Sequence, residues 1–241
     1  MRKTNKKTEG LQLVARFALP PNSMGYCGRD SAPEKFKKCF IHGECVDIEE
    51  EVTKFIVLNP YLQTISKVTG LPFCSKKVVE CYWLGNDLIH EFKIEHYNLL
   101  LDEFLKQGVP TWFVEELREK QPKKFIPTHL FQVMHVGVGK ASGTVPFNLE
   151  SINSCMIRWG QVLSISSNTF TALTKYITQK SDGNYFISQV EETFEYVSDF
   201  LPNLSVGDIV AVHWKQPVKI LTNAEVENLV KWTNNVLQVI Q

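Results

Sequence analysis

Hydrophobic positions recur at helical spacing through the first half of the chain. The clearest case follows Ser75, a residue type that favours the start of a helix. Its apolar positions fall near one helix face and are Val78, Val79, Tyr82, Leu88, Ile89 and Phe92. Other apolar or amphipathic segments occupy 11–19, which Pro20 and Pro21 stop, and 46–57, 60–68, 94–106 and 110–120. The pattern predicts an all-helical unit in this half.

The periodicity changes after a charged, proline-bearing hinge at 121–124, where alternation and β-branched residues replace helical spacing. The predicted strands are 129–138, 154–166, 170–178, 185–196 and 208–214. Short strands separated by turns at this spacing favour a small antiparallel β-barrel or a rolled sheet. An apolar stripe over 224–240 then predicts a C-terminal helix that packs on the helical unit or covers an open sheet edge.

The predicted fold class is therefore α+β. It has three parts: a flexible tail over 1–10, a helical domain over 11–124, and a β-barrel-like domain with a C-terminal helix over 125–241.

Composition excludes several classes of function. The chain of 241 residues carries 26 Lys and Arg against 26 Asp and Glu. A protein without an excess of positive charge is poorly suited to bind the phosphates of nucleic acid. No apolar stretch reaches the roughly 18 residues that a membrane span needs. The polar start of the chain lacks the apolar core of a secretory signal. The six cysteines are scattered in a chain large enough not to need disulfides, so we expect a cytoplasmic protein with reduced thiols.

Cysteine and histidine residues from three predicted strands form the main candidate site. His129 and His135 are six positions apart and would share one strand face, whereas Cys155 and His213 lie on two other strands. A cysteine beside a histidine can act as a nucleophile, which makes Cys155, His213 and His135 candidate catalytic residues. The same groups with His129 would also suit a transition metal such as Zn, Ni or Fe. The competing interpretation is that these side chains only make ordinary structural hydrogen bonds.

Two further cysteine motifs stand in the helical half. Cys39, His42 and Cys45 are three residues apart and would supply three zinc ligands, although two ordinary buried thiols fit the pattern better. Cys27 lies between two glycines in a tight turn after Pro20 and Pro21, where its thiol could be reactive or could transfer a metal.

Aromatic residues could form the walls of a ligand pocket at the junction of the two domains. They are Tyr82, Trp83, Trp159 and Trp214, and Arg158 beside them could bind an anion. Trp159 and Trp214 are equally well explained as the core of the barrel.

Several segments together resemble an uncharacterised family of bacterial and archaeal proteins. They are 17–22 (Phe-Ala-Leu-Pro-Pro-Asn), 25–28 (Gly-Tyr-Cys-Gly), 78–86 (Val-Val-Glu-Cys-Tyr-Trp-Leu-Gly-Asn), 155–162 (Cys-Met-Ile-Arg-Trp-Gly-Gln-Val) and 207–214 (Gly-Asp-Ile-Val-Ala-Val-His-Trp). The resemblance covers nearly the whole chain and implies a prokaryotic cytosolic protein. It brings no known activity.

The β half alone is similar to the small-barrel chaperones of nickel-iron hydrogenase maturation. The likeness rests on Cys155 near a strand that contains Gly-Gln-Val and on the later Val-Gly-Asp-Ile-Val-Ala-Val-His, which ends at His213. In those chaperones the working cysteine follows the initiator Met, whereas Cys155 is internal. The resemblance points to metal-centre assembly.

These observations predict a cytosolic accessory protein that binds another protein during assembly of a metalloenzyme and uses a Cys/His site. Two alternatives stay open. One is an enzyme that attacks a small molecule with a cysteine or a bound metal in the cleft between domains, and the other is a small-ligand binding module. No nucleic acid or membrane partner is expected.

Overall fold

The computed structural model describes residues 6–28 and 32–240. The helices are α1 (Lys6–Ser23), α2 (Pro33–His42), α3 (Ile48–Thr53), α4 (Leu58–Thr69), α5 (Lys76–Trp83), α6 (His96–Gln107), α7 (Thr111–Glu119), α8 (His129–Phe131), α9 (Leu149–Cys155) and α10 (Asn223–Ile240). A 3₁₀ turn covers Asp87–Glu91, and α8 continues as a π-helical turn over Gln132–Gly137. The predicted helical first half is confirmed. Of the predicted tail 1–10, residues 1–5 lie outside the described residues and the remainder opens α1.

The second half contains one antiparallel sheet. Its strands are β1 (Arg158–Ile165), β2 (Thr169–Gln179), β3 (Tyr185–Glu195), β4 (Ile209–His213) and β5 (Gln216–Ile220), in the order β3-β2-β1-β4-β5. The protein is therefore α+β, as predicted. Within the described chain no ladder joins β3 to β5, so the sheet is open rather than a closed barrel.

Strands β1 and β2 approach closely because β1 contains Gly160. A Cβ at this position would lie 2.6 Å from Cγ2 of Thr174 and 2.8 Å from the carbonyl oxygen of Leu173. One face of the sheet then packs as a small apolar cluster. The buried members of this cluster are Val162, Phe170, Ala172, Phe194, Leu201, Val210 and Val212.

A two-residue turn joins β4 to β5. His213 pairs with Gln216 across it, and the turn residues Trp214 and Lys215 have φ angles of 50° and 60°. Two consecutive positive φ angles give the twist that a tight hairpin requires, and glycine or asparagine usually adopts them. Immediately after His213, this turn therefore holds the backbone of two residues with bulky side chains in a strained conformation.

Helix α1 connects the two halves of the chain. The guanidinium Nη1 of Arg16 donates to the carbonyl oxygens of Phe200, at 2.5 Å, and Val218, at 2.9 Å. The main apolar core likewise includes residues from both halves, from Val14 in α1 to Trp232 in α10. Helix α10 packs on the helical half, with Trp232 against Gly85, which confirms one of its two predicted positions.

The predicted strand 129–138 is wrong, because this segment is helical. The hydroxyl of Thr128 caps it by accepting from the amide of Phe131, at 3.4 Å. Nearly every residue of the segment is buried, so no alternation of exposure separates helix from strand, and its valines favoured the wrong choice. Six positions along a helix correspond to a rotation of about 600°, so His129 and His135 leave the helix on different faces.

Three further expectations need correction. The predicted strand 154–166 starts only at Arg158, because Asn148 caps the short helix α9 by accepting from the amide of Ser151, at 2.9 Å. Helix α1 runs through Pro20 and Pro21 to Ser23 instead of stopping before them. Strand β5 lies outside the predicted strands, because its segment contains Pro217 and follows a turn without glycine.

Two of the cysteines expected as free thiols form a disulfide. Cys39 and Cys45 are bonded, and the turn between them contains Gly43 with a φ angle of 76°. Cys27, Cys74, Cys81 and Cys155 are free. The sulfurs of Cys39 and Cys45 are therefore not available as the zinc ligands considered with His42.

No helix within 6–28 or 32–240 combines the length and the apolar character that crossing a membrane demands.

Candidate functional site

Three elements from the second half of the chain bring their ends together. His129 opens α8, Cys155 closes α9 just before β1, and His213 ends β4. One ligand atom from each side chain, a sulfur or a ring nitrogen, lies within 4.8 Å of the other two. All three residues are buried, with 5%, 4% and 1% of their surface exposed. Cysteine and histidine at this separation are typical of sites for borderline metals.

His213 is held in a tautomer that leaves one nitrogen free. Its Nδ1 lies 2.7 Å from the carbonyl oxygen of Phe17, and a carbonyl can only accept, so Nδ1 carries the proton. Nε2 is then a lone pair that accepts no hydrogen bond in the described structure, since the backbone carbonyl of Cys155 beside the ring can only accept as well. Burial lowers the pKa of His213 to about 4, so the ring is neutral at pH 7. A backbone carbonyl that fixes the far nitrogen is the usual support of a metal-binding histidine.

His129 has both ring nitrogens engaged. Nε2 lies 2.7 Å from the carbonyl oxygen of Cys155, and the hydroxyl of Tyr82 lies 2.9 Å from Nδ1. Nε2 must therefore be the protonated nitrogen, and Tyr82 donates to Nδ1. Burial, followed by the charge of His213, lowers the pKa of His129 well below its ordinary value. In this state His129 orients the backbone of Cys155, and it becomes a metal ligand only if it gives up that bond.

The thiol of Cys155 lies beside His129, with Sγ 3.6 Å from Nε2. Burial raises the pKa of this thiol well above its ordinary range, and the charge of Cys27 raises it further. The indole of Trp214 opposes the rise. A thiol in this setting stays protonated at pH 7 unless a cation takes the place of its proton.

The cluster faces a small, partly open cavity of about 50 Å³. The polar and aromatic residues that line it include Cys27, Tyr82, Trp83, His129, Gln132, Cys155, His213 and Trp214. The indole of Trp214 in this wall donates toward the sulfur of Cys155, and its N–H favours the thiolate form. On this measure one water needs roughly 10–15 Å³, so the space suits an ion with a few small ligands.

Other predicted site residues lie elsewhere. His135 is in the π-helical turn, where its Nε2 is 2.9 Å from the hydroxyl of Tyr97. Arg158 is buried and forms an ion pair with Glu192, while its Nη2 donates to Thr174 at 2.6 Å. Trp159 is core on β1, opposite Ala211 of β4. These residues hold helices and strands together and stand apart from the cavity.

Two parts of the site carry no recognisable sequence signal. The Phe17 carbonyl that orients His213 is a backbone group 196 positions away, so residue type cannot reveal it. Gln132 carried no motif and resembles any polar residue of a helix. By sequence Cys27 belongs to a separate turn, yet the fold places it in the wall of this cavity.

Comparison with known proteins yields one match. The model of a protein family described as a family of unknown function, DUF6390, matches residues 6–241. No curated protein and no solved structure matched the chain.

Proposed function

Since this chain belongs to DUF6390, a family of unknown function, we propose a function from its own residues. It is a cytosolic accessory protein that takes up one borderline transition-metal ion, of the class of zinc, nickel or iron(II), and passes it to another protein during assembly of a metalloenzyme. Cys155 and His213 are the proposed primary ligands.

The free Nε2 of His213 is the observation that carries this proposal. A fully buried nitrogen lone pair without a hydrogen-bond partner costs free energy, and such a group calls for an explanation. A cation at the cavity would satisfy this lone pair and the sulfur of Cys155 together. Zinc bonds of roughly 2.0–2.3 Å hold tetrahedral ligands about 3.5 Å apart, so these side chains, whose ligand atoms lie within 4.8 Å of each other, would move inward to bind an ion.

The size of the cavity favours an ion over an organic substrate. Drug-sized molecules occupy pockets of roughly 300–1,000 Å³, whereas this cavity has a volume of about 50 Å³. Burial also keeps the thiol of Cys155 protonated, which weakens it as a nucleophile. Both facts support metal binding over the cysteine enzyme and over the module for a larger ligand.

The accessory role rests on the nature of the site and on the likeness of the β half to hydrogenase-maturation chaperones. The arrangement offers a soft sulfur and an imidazole at a small cavity, which suits a carrier. The proposed recipient is an enzyme of the nickel-iron hydrogenase type.

Metal binding is tested on the full chain purified without a metal-affinity tag. We expect about one Zn(II), Ni(II) or Co(II) per chain by elemental analysis after dialysis, and loss of the ion in Cys155→Ser and in His213→Asn. His135→Gln serves as the matched control, because it removes a half-buried histidine that does not line the cavity. Wild-type protein without metal, or variants that retain it, would overturn the proposal.

The accessory role is tested in a host that makes a nickel-iron hydrogenase. Removing this chain should lower the metal content of the purified hydrogenase, and wild-type protein, but not Cys155→Ser, should restore it. Equal restoration by both proteins would contradict the role.

A further inference from the structure

His129 already lies at the distance from Cys155 that two ligands of one ion require. Its Nε2 is 3.6 Å from the Cys155 sulfur, and a tetrahedral zinc ion holds a nitrogen and a sulfur ligand about 3.5 Å apart. Both side chains belong, with His213, to the group whose ligand atoms lie within 4.8 Å of one another. The rings of His129 and His213 meet edge to face, with centroids 5.2 Å apart. This spacing suits one ion held by all three residues.

The proton on Nε2 of His129 stands in the way of such a bond. Nε2 donates this proton to the carbonyl oxygen of Cys155, at 2.7 Å, so the nitrogen offers no lone pair to an ion. A neutral imidazole carries a single N–H, and protonation of Nδ1 instead of Nε2 frees Nε2 without changing the charge of the ring. His129 thus becomes a ligand by changing its tautomer.

The hydroxyl of Tyr82 can serve both tautomers of His129. It lies 2.9 Å from Nδ1, and both residues are buried. A hydroxyl donates as well as accepts, so it can donate to a bare Nδ1 and accept from a protonated one. A carbonyl in its place could only accept and would fix the proton on Nδ1, as the carbonyl of Phe17 does for His213. Tyr82 also lines the cavity, into which its own hydrogen can turn when its oxygen accepts.

Packing holds both side chains in place. The ring of Trp83 lies 4.8 Å from that of Tyr82 and 4.5 Å from that of His129, measured between centroids. The ring of Tyr61 contacts Tyr82 as well, at 5.3 Å. The change of tautomer moves protons and displaces neither ring, so this packing can persist through it.

We propose that His129 is the third ligand of the ion and that Tyr82 is the positioning residue that allows it to bind. This inference rests on the proposed metal binding and extends it from Cys155 and His213 to a set of three ligands. When the M²⁺ ion enters, the S–H bond of Cys155 breaks and its proton goes to solvent. The sulfur and the Nε2 atoms of His129 and His213 each give a lone pair to the ion. His129 loses a proton from Nε2 to solvent and gains one from solvent at Nδ1, so one proton leaves per ion and no electron is transferred.

NMR of the histidine rings tests the tautomer in the wild-type chain. In protein labelled with ¹⁵N in its histidines, each N–H proton identifies the nitrogen that carries it. One equivalent of Zn(II) should convert one ring from Nε2–H to Nδ1–H, as we expect for His129. A second metal-bound ring, that of His213, should carry its proton on Nδ1 before and after Zn(II) is added. Binding of Zn(II) without a change of tautomer in any ring would overturn the inference.

Tyr82→Phe tests the hydroxyl, with Tyr61→Phe as its matched control. Tyr61 is also buried beside Tyr82, and its hydroxyl has no hydrogen-bond partner among the described groups. Loss of a group that supports a metal ligand weakens binding by roughly 10–100-fold. We therefore expect the Kd for Co(II) to rise by about that factor in Tyr82→Phe and to stay unchanged in Tyr61→Phe. Equal Kd values for the two variants would refute the role of Tyr82.

His129→Gln tests the third ligand. The amide nitrogen of glutamine can still donate to the carbonyl of Cys155, but it has no lone pair for an ion. We expect Co(II) to bind more weakly to this variant than to Tyr82→Phe. The sulfur-to-cobalt charge-transfer absorption should persist at saturating Co(II), because Cys155 is unchanged. A wild-type Kd in His129→Gln would contradict the assignment of His129.

The outcomes separate this inference from the proposed function. If wild-type protein binds Zn(II) and Co(II) while His129 keeps its proton on Nε2, metal binding by Cys155 and His213 stands and the third ligand is refuted. If wild-type protein binds neither ion, both proposals fail.

Discussion

Nδ1 of His213, at the end of β4, lies 2.7 Å from the carbonyl oxygen of Phe17, in helix α1. This bond joins two residues 196 positions apart and serves two purposes. It ties the sheet to the first helix, and it forces the lone pair of His213 onto the nitrogen that faces Cys155. The two purposes can be separated by substitution.

His213→Asn should preserve most of the stability and abolish metal binding. The asparagine amide nitrogen occupies nearly the place of Nδ1 and can still donate to Phe17, whereas nothing replaces Nε2. His213→Ala leaves the buried carbonyl of Phe17 unpaired as well as a void, so it should lower the free energy of unfolding by about 3 kcal/mol, against about 1 kcal/mol for His213→Asn. Urea unfolding in the presence of a chelator measures this difference, and equal losses would refute the role of the bond.

Gly85→Ala should be much more destabilising than Gly183→Ala. Both glycines have positive φ angles, 77° and 88°, so both substitutions carry the same backbone strain, of about 1 kcal/mol. At Gly85 the new Cβ would also lie 2.3 Å from Cδ1 of Trp232, whereas Gly183 faces open space. We expect a further loss of at least about 2 kcal/mol for Gly85→Ala. Thermal unfolding compares the two, and similar melting temperatures would show that α10 is not tightly packed there.

Much of the fold could be predicted from sequence, because helices α2 to α7 and strands β2 to β4 carry clear periodic patterns. The segment with His129 could not, since it is buried on nearly every side and its period is hidden. The approach of Cys155 to His129 and His213 could be predicted, because it requires only that the second half of the chain fold as one unit. The place of Cys27 depended on contacts between both halves, which local pattern does not encode.

Lys215→Gly should stabilise the protein. Lys215 has a φ angle of 60° in the β4–β5 turn, a conformation that costs a residue with a Cβ about 1 kcal/mol and glycine very little. The free energy of unfolding should therefore rise by about 1 kcal/mol. Lys175→Gly, in the extended strand β2, should have the opposite sign, because glycine only loses entropy there. Chemical unfolding of both variants checks the pair, and a loss at Lys215 would mean that its side chain contributes more than the turn costs.

Stability should decline as pH falls from about 6.5 to 4, and His135 should account for part of the decline. Burial, followed by the charge of Lys120, lowers the pKa of His135 from 6.5 to about 4 in the folded chain. Between these values the unfolded chain binds the proton and the folded chain does not, so acid favours unfolding. The contribution is on the order of 2 kcal/mol after allowance for partial exposure.

His135→Gln should therefore flatten the pH dependence of the melting temperature between pH 4 and 6.5. Near pH 7 the melting temperature of the variant should be equal to that of the wild-type protein or lower. His42→Gln is the matched control, because His42 is exposed on the surface. If the melting temperature of His135→Gln changed with pH as steeply as that of the wild-type protein, the His135 ring would bind its proton as readily in the folded chain as in the unfolded chain.

The bonds from Arg16 to Phe200 and Val218 also constrain how the chain comes to be folded during synthesis. Helix α1 leaves the ribosome before its partners, which are translated 184 and 202 positions later. Until then the face of α1 that carries Arg16 and the Phe17 carbonyl has neither the sheet nor His213 to pack against. The proposed uptake of an ion between Cys155 and His213 therefore has to follow the synthesis of β4 and β5.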